Sequence, residues 1–194
     1  MRNIIPFALI VLLGSCNNSN SSKNAGKTTD SVTTKTSNSP LSSSKKLTSA
    51  CDALSLADVK KIFGLQIDDN YVPSTENYAN ILRCEYKEQN KYVADPFKQK
   101  KITIDIQGGE DLNRWLKTAR NTGKDKKNFD ILFFPEAGDS AFYSYYEMDV
   151  AFHSLSTEFA FSLNNQVITI YGHQVPKEEF YGKVAELYNT IKNK

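Results

Sequence analysis

Apolar and polar side chains alternate along two segments in the middle of the chain. At 82–87 every second residue is apolar and the others are charged, and at 102–107 isoleucine occupies every second position. Because successive side chains of a β-strand point to opposite faces, this period predicts two half-buried strands. Later apolar and aromatic segments predict further strands at 129–134, 140–147, 149–155, 158–163 and 166–172, the last two joined by a hairpin at Asn164-Asn165.

Three other segments carry the period of an amphipathic helix. Ser55 can cap a helix over 55–63 with Asp58 as its capping-box partner, and Gly64 can end it. A second helix is expected near 110–121, and a third begins at Pro176. The apolar face of the third helix comprises Phe180, Val184, Leu187, Tyr188 and Ile191. This order of elements predicts an α+β fold at 50–194, with a mostly antiparallel sheet and about three helices.

The N-terminus has the pattern of an export signal. Arg2 precedes an apolar stretch at 4–13, which is shorter than the roughly 20 residues that a membrane-spanning helix needs. The stretch ends in Leu13-Gly14-Ser15-Cys16, which resembles the lipobox of bacterial lipoproteins. The resemblance implies a signal peptide at 1–15 and a diacylglycerol on the thiol of Cys16. The alternative is an ordinary secretory signal followed by an unrelated cysteine.

A polar segment separates Cys16 from the predicted domain. Ser, Thr and Asn make up 21 of the 33 residues at 17–49, so we expect 16–49 to be a disordered tether. The tether carries five Lys against one Asp, whereas 50–194 carry 18 Lys and Arg against 21 Asp and Glu. The domain itself is therefore mildly acidic, which argues against a nucleic-acid partner.

Two further cysteines, Cys51 and Cys84, lie in the predicted domain. In an exported protein an even pair of cysteines favours a disulfide bond. Two free thiols, or half of a zinc site, are the alternatives, although the chain contains no C-x-x-C motif.

The cysteine segments also resemble those of small secreted bacterial lipoproteins of unknown function. In that group a Cys-x-x-Leu-Ser/Thr segment opens a helix that ends at Gly, and a second cysteine precedes an aromatic residue by two. Here the matching segments begin at Cys51 and at Cys84, with Gly64 between them. The resemblance implies a disulfide bond and an α+β fold, and it implies no activity.

We find no convincing catalytic set in the sequence. Gly138-Asp139-Ser140 is similar to the serine block of one esterase class, but neither His153 nor His173 follows an aspartate by three residues as that class requires. The two histidines could contribute to a metal site only if the fold brought them together, and we expect no metal and no cofactor. A hydrolase that uses His153 or His173 remains an alternative.

Aromatic residues are concentrated in the β-rich part of the chain. Eleven of them lie between Phe129 and Tyr171, and the strand at 140–147 carries aromatic residues on both faces. We expect Phe142 and Tyr146 to face the core, and Tyr143 and Tyr145 to face outward as a binding patch. The alternative is that a helix covers the second face of this strand.

Taken together, these patterns predict a lipid-anchored protein of the bacterial cell envelope. We expect a non-enzymatic binding or accessory domain whose partner is an envelope protein or a small ligand. No acidic run follows Cys16, which favours an outer-membrane location facing the periplasm. A structural or stress-related envelope component is a further alternative.

Overall fold

The structure is a computed structural model that describes residues 46–148 and 154–194. The helices are α1 (Ala50–Ala53), α2 (Leu56–Phe63), α3 (Leu112–Gly123), α4 (Lys177–Tyr181) and α5 (Val184–Lys192). The strands are β1 (Ser74–Tyr78), β2 (Ile81–Lys87), β3 (Lys101–Gly108), β4 (Lys127–Phe133), β5 (Phe142–Met148), β6 (Ser154–Leu163) and β7 (Gln166–His173). Three of these helices have seven or more residues, so the predicted α+β fold is confirmed.

The strands form one seven-stranded sheet in the order β1-β2-β3-β7-β6-β5-β4. Each described pairing is antiparallel. The β6–β7 hairpin turns at Asn164-Asn165, where both residues have positive φ, as the sequence predicts. The strand predicted at 149–155 lies largely outside the described residues, and β6 continues without a break from Ser154 to Leu163.

One face of the sheet, here called the first face, carries the main hydrophobic core. Ile102, Ile104 and Ile106 of β3 are essentially buried there, together with Cys84 and Tyr86 of β2. Helices α1, α2, α4 and α5 contribute apolar side chains to the same core. The alternation at 82–87 and 102–107 therefore identifies correctly which side chains enter the core.

Local sequence sets both ends of α2. The Ser55 hydroxyl accepts from the backbone N–H of Asp58, and the Asp58 carboxylate accepts from the N–H of Ser55, which completes a capping box. Gly64 ends the helix with φ of 62°, a conformation that glycine adopts without steric cost.

The C-terminal helical segment is divided rather than continuous. Helix α4 ends at Tyr181, and α5 begins at Val184. Gly182 is the C-cap of α4, and glycine is a poor residue for a helix interior. The apolar residues of the two helices still reach one core, since Phe180, Val184, Leu187 and Ile191 are all buried.

The disulfide bond Cys51–Cys84 is present, with Cα atoms 5.2 Å apart, and it joins α1 to β2. Just before α1, Leu47 is buried in the core and exchanges two backbone hydrogen bonds of 2.9 Å with the Gln166 side chain. Leu47 lies within the segment expected to be tether, so the packed part of the chain begins earlier than its composition suggests.

Candidate functional site

The expected outward patch of Tyr143 and Tyr145 is not a free surface, since Tyr145 is buried and Tyr143 is half-buried. Both side chains lie on the first face, where the Tyr143 ring is 4.3 Å from the Tyr181 ring and Tyr145 is only 7% exposed. The Lys177 ammonium lies 5.8 Å from the centre of the Tyr145 ring. The predicted orientation is wrong: Tyr143 and Tyr145 lie on the face of the main core, and Phe142 and Tyr146 lie on the opposite face. The pair is therefore not the exposed patch that argued for binding there.

The opposite face of β5 packs against a helix of its own. Phe142 is fully buried in a second, smaller hydrophobic cluster formed with Leu112 and Leu116 of α3, and with Ala160 and Val167. We call this side of the sheet the second face. Helix α3 packs against β4, β5 and β6. Phe142 is thus buried as expected, but in a cluster separate from the main core.

Other residues singled out in the sequence are placed as follows. Cys51 and Cys84 form the disulfide bond. Cys16 and His153 lie outside the described residues. His173 ends β7, opposite Lys101 of β3 and Ser156 of β6. Within the described residues, no hydrogen bond joins Ser156 to His173.

The strand register aligns polar side chains of the second face in rows. The outer row, at the strand ends, comprises Lys87, Lys101, His173, Ser156 and Tyr146. The middle row, one step inward, comprises Glu85, Thr103, Tyr171, Glu158 and Ser144. These rows bring together polar groups from two separate parts of the sequence, β2 and β3 at 81–108 and β5 to β7 at 142–173.

Glu158 is the buried acid of the middle row. It is 8% exposed, and the Ser144 hydroxyl donates to Oε2 of Glu158 over 3.2 Å. Burial raises the pKa of Glu158 to about 7, while the hydrogen bond from Ser144 acts in the opposite direction. Near neutral pH this carboxyl group can therefore donate as well as accept a hydrogen bond.

An ion pair lies further inward on the same face. Arg83 binds Asp105 with two hydrogen bonds, Nε to Oδ1 at 2.7 Å and Nη2 to Oδ2 at 2.6 Å. The pair raises the pKa of the Arg83 guanidinium above its ordinary value, so the cation is retained. Since the buried Asp105 is neutralised by its partner, this pair is suited to fixing β2 against β3.

A cleft of about 260 Å³ opens at the lysine end of the outer row, and we call it the outer-row cleft. Its walls include Lys87, Lys101 and His173 from the strands, and Phe97 and Gln99 from the connection between β2 and β3. Burial, and then the adjacent Lys101 ammonium, lower the pKa of His173. The cleft thus combines two ammonium groups with a mostly neutral imidazole at neutral pH.

The rows and the cleft combine charged groups with hydrogen-bond donors and acceptors. A serine nucleophile needs a hydrogen-bonded base, and the described residues hold no such serine–histidine pair at the rows. Among the residues that the structure describes, no group of three or more His, Cys, Asp or Glu side chains is placed so that it could hold a metal ion. None of the helices described is long and apolar enough to cross a membrane.

Several residues of this face were not singled out from the sequence. The alternation in β2 and β3 predicts that Lys87, Glu85 and Thr103 point away from the core, but it does not predict their neighbours. Gln99 carries no local sequence signal at all. Two lysines that flank the β2–β3 connection, Lys87 and Lys101, are the one feature that could have indicated a cationic end of the sheet.

Comparison of the chain with protein-family models finds no match, and comparison with curated proteins finds none either.

Proposed function

We propose that this chain is a bacterial lipoprotein: a non-enzymatic binding domain that acyl chains on Cys16 hold at a membrane outside the cytoplasm. The disulfide bond Cys51–Cys84 is the observation that carries the proposal, because such bonds persist in oxidising compartments. The resemblance of Leu13-Gly14-Ser15-Cys16 to a lipobox supplies the anchor. Each buried methylene contributes about 0.8 kcal/mol, so two or three acyl chains give stable attachment.

The proposed location is the outer membrane, with the domain facing the periplasm. The residues that directly follow Cys16 are Asn17, Asn18, Ser19 and Asn20, and they carry no charge. The 29 residues at 17–45 connect Cys16 to the domain. If they were fully extended, they would span roughly 100 Å, which is the upper limit for the distance between the domain and the membrane.

The binding role draws support from the second face. Its two polar rows combine cations, a buried acid and hydroxyl groups, which suits recognition of a polar molecule. The partner is an envelope protein or a small ligand.

Fractionation of cells that express the full chain tests the anchor. Cys16→Ser should move the protein from the membrane fraction to the soluble fraction, because no thiol is left to acylate. Asn17→Ser, at the next position, is the matched control and should stay in the membrane fraction. If Cys16→Ser remains in the membrane fraction to the same extent as Asn17→Ser, the proposed anchor is wrong.

A further inference from the structure

The two edges of the sheet differ in chemistry. Among the strands that the structure describes, β1 and β4 are the edge strands. All five residues of β1 are exposed, but its sequence, Ser-Thr-Glu-Asn-Tyr, contains no aliphatic residue. Strand β4 ends in Ile131-Leu132-Phe133, where the Leu132 side chain is 40% exposed and that of Phe133 is 47% exposed. An unpaired strand edge with exposed apolar side chains is a template for pairing with another strand.

The register with β5 shows which backbone groups of β4 are turned to the edge. The N–H of Phe134 donates to the carbonyl of Ala141 over 2.9 Å, and Leu132, two residues earlier, occupies the equivalent position in the same register. Hydrogen-bonded and non-hydrogen-bonded positions alternate along an antiparallel pair. Leu132 therefore bonds to β5, whereas the N–H and C=O groups of Ile131 and Phe133 point to the open edge.

The regular, apolar part of this edge is short. The β4–β5 register shifts between Lys127 and Asp130, and such an irregularity bends a strand away from a new partner. Pro135 follows β4 by two residues and has no N–H to donate. These two features leave Ile131-Leu132-Phe133 as the segment to which another strand can pair.

We propose that β4 pairs with β4 of a second copy of this chain, antiparallel and centred on Leu132. In this register Leu132 lies opposite Leu132 of the second copy on the first face, and Ile131 lies opposite Phe133 of the second copy on the second face. All three positions then have an apolar residue opposite them. The edge N–H and C=O groups of Ile131 and Phe133 form four hydrogen bonds between the copies.

Charge does not oppose this pairing. Asp130 is the only charged residue at 129–134, and its carboxylate lies 2.6 Å from Nζ of Lys177 in the same copy. The match of the segment to itself favours a second copy over an unrelated strand, whose side chains would have to match it on both faces. With three residue pairs the interface is small, so the dimer is weak and depends on concentration.

Cysteine cross-linking of the full chain tests the register. Leu132→Cys should give a disulfide-linked dimer on a non-reducing gel, because Cα atoms at a directly opposite, non-hydrogen-bonded position lie about 4.5 Å apart, within the range of a disulfide bond. Thr75→Cys, exposed on the β1 edge, is the matched control and should remain monomeric. Equal dimer fractions in the two variants overturn the proposal, and so does a Leu132→Cys chain that cross-links only to a different polypeptide.

Sedimentation equilibrium of the purified full chain in density-matched detergent measures the dimer itself. Leu132→Lys places two ammonium groups opposite each other and should raise the dissociation constant tenfold or more. Val72→Lys makes the same kind of change at a position that is 83% exposed and lies outside the strands, and it should dimerise as the wild type does. Both positions are exposed, so the stability of the fold should hardly change.

A charge exchange at Leu132 separates pairing of two copies from other effects of the substitution. An equimolar mixture of Leu132→Lys and Leu132→Glu should regain the dimer, because opposite charges then face each other. A wild type that stays monomeric overturns the proposal, as does equal weakening by Leu132→Lys and Val72→Lys or a mixture that stays monomeric. All chains are compared in the same detergent, so the outcome does not depend on whether Cys16 carries acyl chains.

Discussion

The carboxyl group of Glu158 is buried on the second face of the sheet. Its pKa is about 7 in the folded chain, against an ordinary value of 4.5 that the unfolded chain retains. Between these two values the folded state holds a proton that the unfolded state releases. The free energy of unfolding must therefore decrease as the pH rises from about 4.5 to about 7. Above pH 7 the carboxyl group is ionised in both states, and the stabilisation that came from the bound proton is lost.

Glu158→Gln removes this titration while keeping an acceptor for the Ser144 hydroxyl. At pH 8 we expect the variant to exceed the wild type in free energy of unfolding by up to roughly 3 kcal/mol, which corresponds to the difference between the two pKa values. At pH 4 the two proteins should be nearly equally stable. Urea unfolding at several pH values measures both quantities.

Glu76→Gln is the matched control for that series. Glu76 lies on β1, where every residue is exposed, so its replacement should leave the pH profile of the wild type in place. If Glu158→Gln keeps the full pH dependence of the wild type between pH 4.5 and 7, the assignment of the slope to Glu158 is wrong.

Gly172 of β7 is required by close packing. A Cβ atom at this position would lie 2.5 Å from Oγ1 of Thr157 and 2.8 Å from Cδ2 of the buried Phe180. We expect Gly172→Ala to lower the free energy of unfolding by about 1–3 kcal/mol, as overpacking of a core does. Gly108→Ala is the control, because its Cβ would make an ordinary 3.6 Å contact with Nζ of Lys46. Thermal unfolding that shows equal loss in both variants would contradict this account.

At the scale of elements, local patterns predict those helices and strands that have one apolar face. Strands β2 and β3 follow the alternation, and the capping box with Gly64 sets α2. The sequence does not predict strand β1, because all five of its residues are exposed and its apolar and polar residues do not alternate. Helix α1 has four residues, which is too short for a helical period to be recognised.

The disulfide bond connects two elements that no strand register holds together. It joins α1 to β2 across a sequence separation of 33 residues. We expect the double variant Cys51→Ala, Cys84→Ala to lose about 2–5 kcal/mol of unfolding free energy, since the bond constrains the unfolded chain. Guanidinium unfolding measures the loss.

A reducing agent supplies the control for this prediction. Dithiothreitol should destabilise the wild type towards the value of the double variant and should leave the double variant unchanged. Wild type and double variant of equal stability, each insensitive to the reductant, would show that the bond contributes nothing to the fold.

At the scale of the whole molecule, α3 packs on the second face at β4, β5 and β6, and the other helices pack on the first face. This unequal cover limits how far the sequence can predict the site. Alternation separates the two faces of each strand but does not tell which face a helix covers. For β5 both faces are packed, so the expected exposure of Tyr143 and Tyr145 was wrong. The aromatic residues of this region instead pack in the two hydrophobic clusters, Phe159 and Phe161 in the main core and Phe142 in the smaller one.

The candidate site depends on long-range register, which a local pattern does not contain. Lys87 and Lys101 are neighbours because β2 pairs with β3, and His173 joins them only because β7 pairs with β3 across a separation of some 70 residues. Each residue is visible in the sequence as a polar position, and His173 was singled out. Their common row, and the place of Gln99 in the wall of the same cleft, follow only from the fold.

The central claim is that the domain is attached to a membrane by acyl chains on Cys16. Mass spectrometry of the N-terminal peptide of the protein, purified from bacterial membranes, tests it most directly. The account predicts a mature chain that begins at Cys16 and carries the mass of a thioether-linked diacylglycerol. A mature chain that begins elsewhere, or one in which the Cys16 thiol is free, would contradict it.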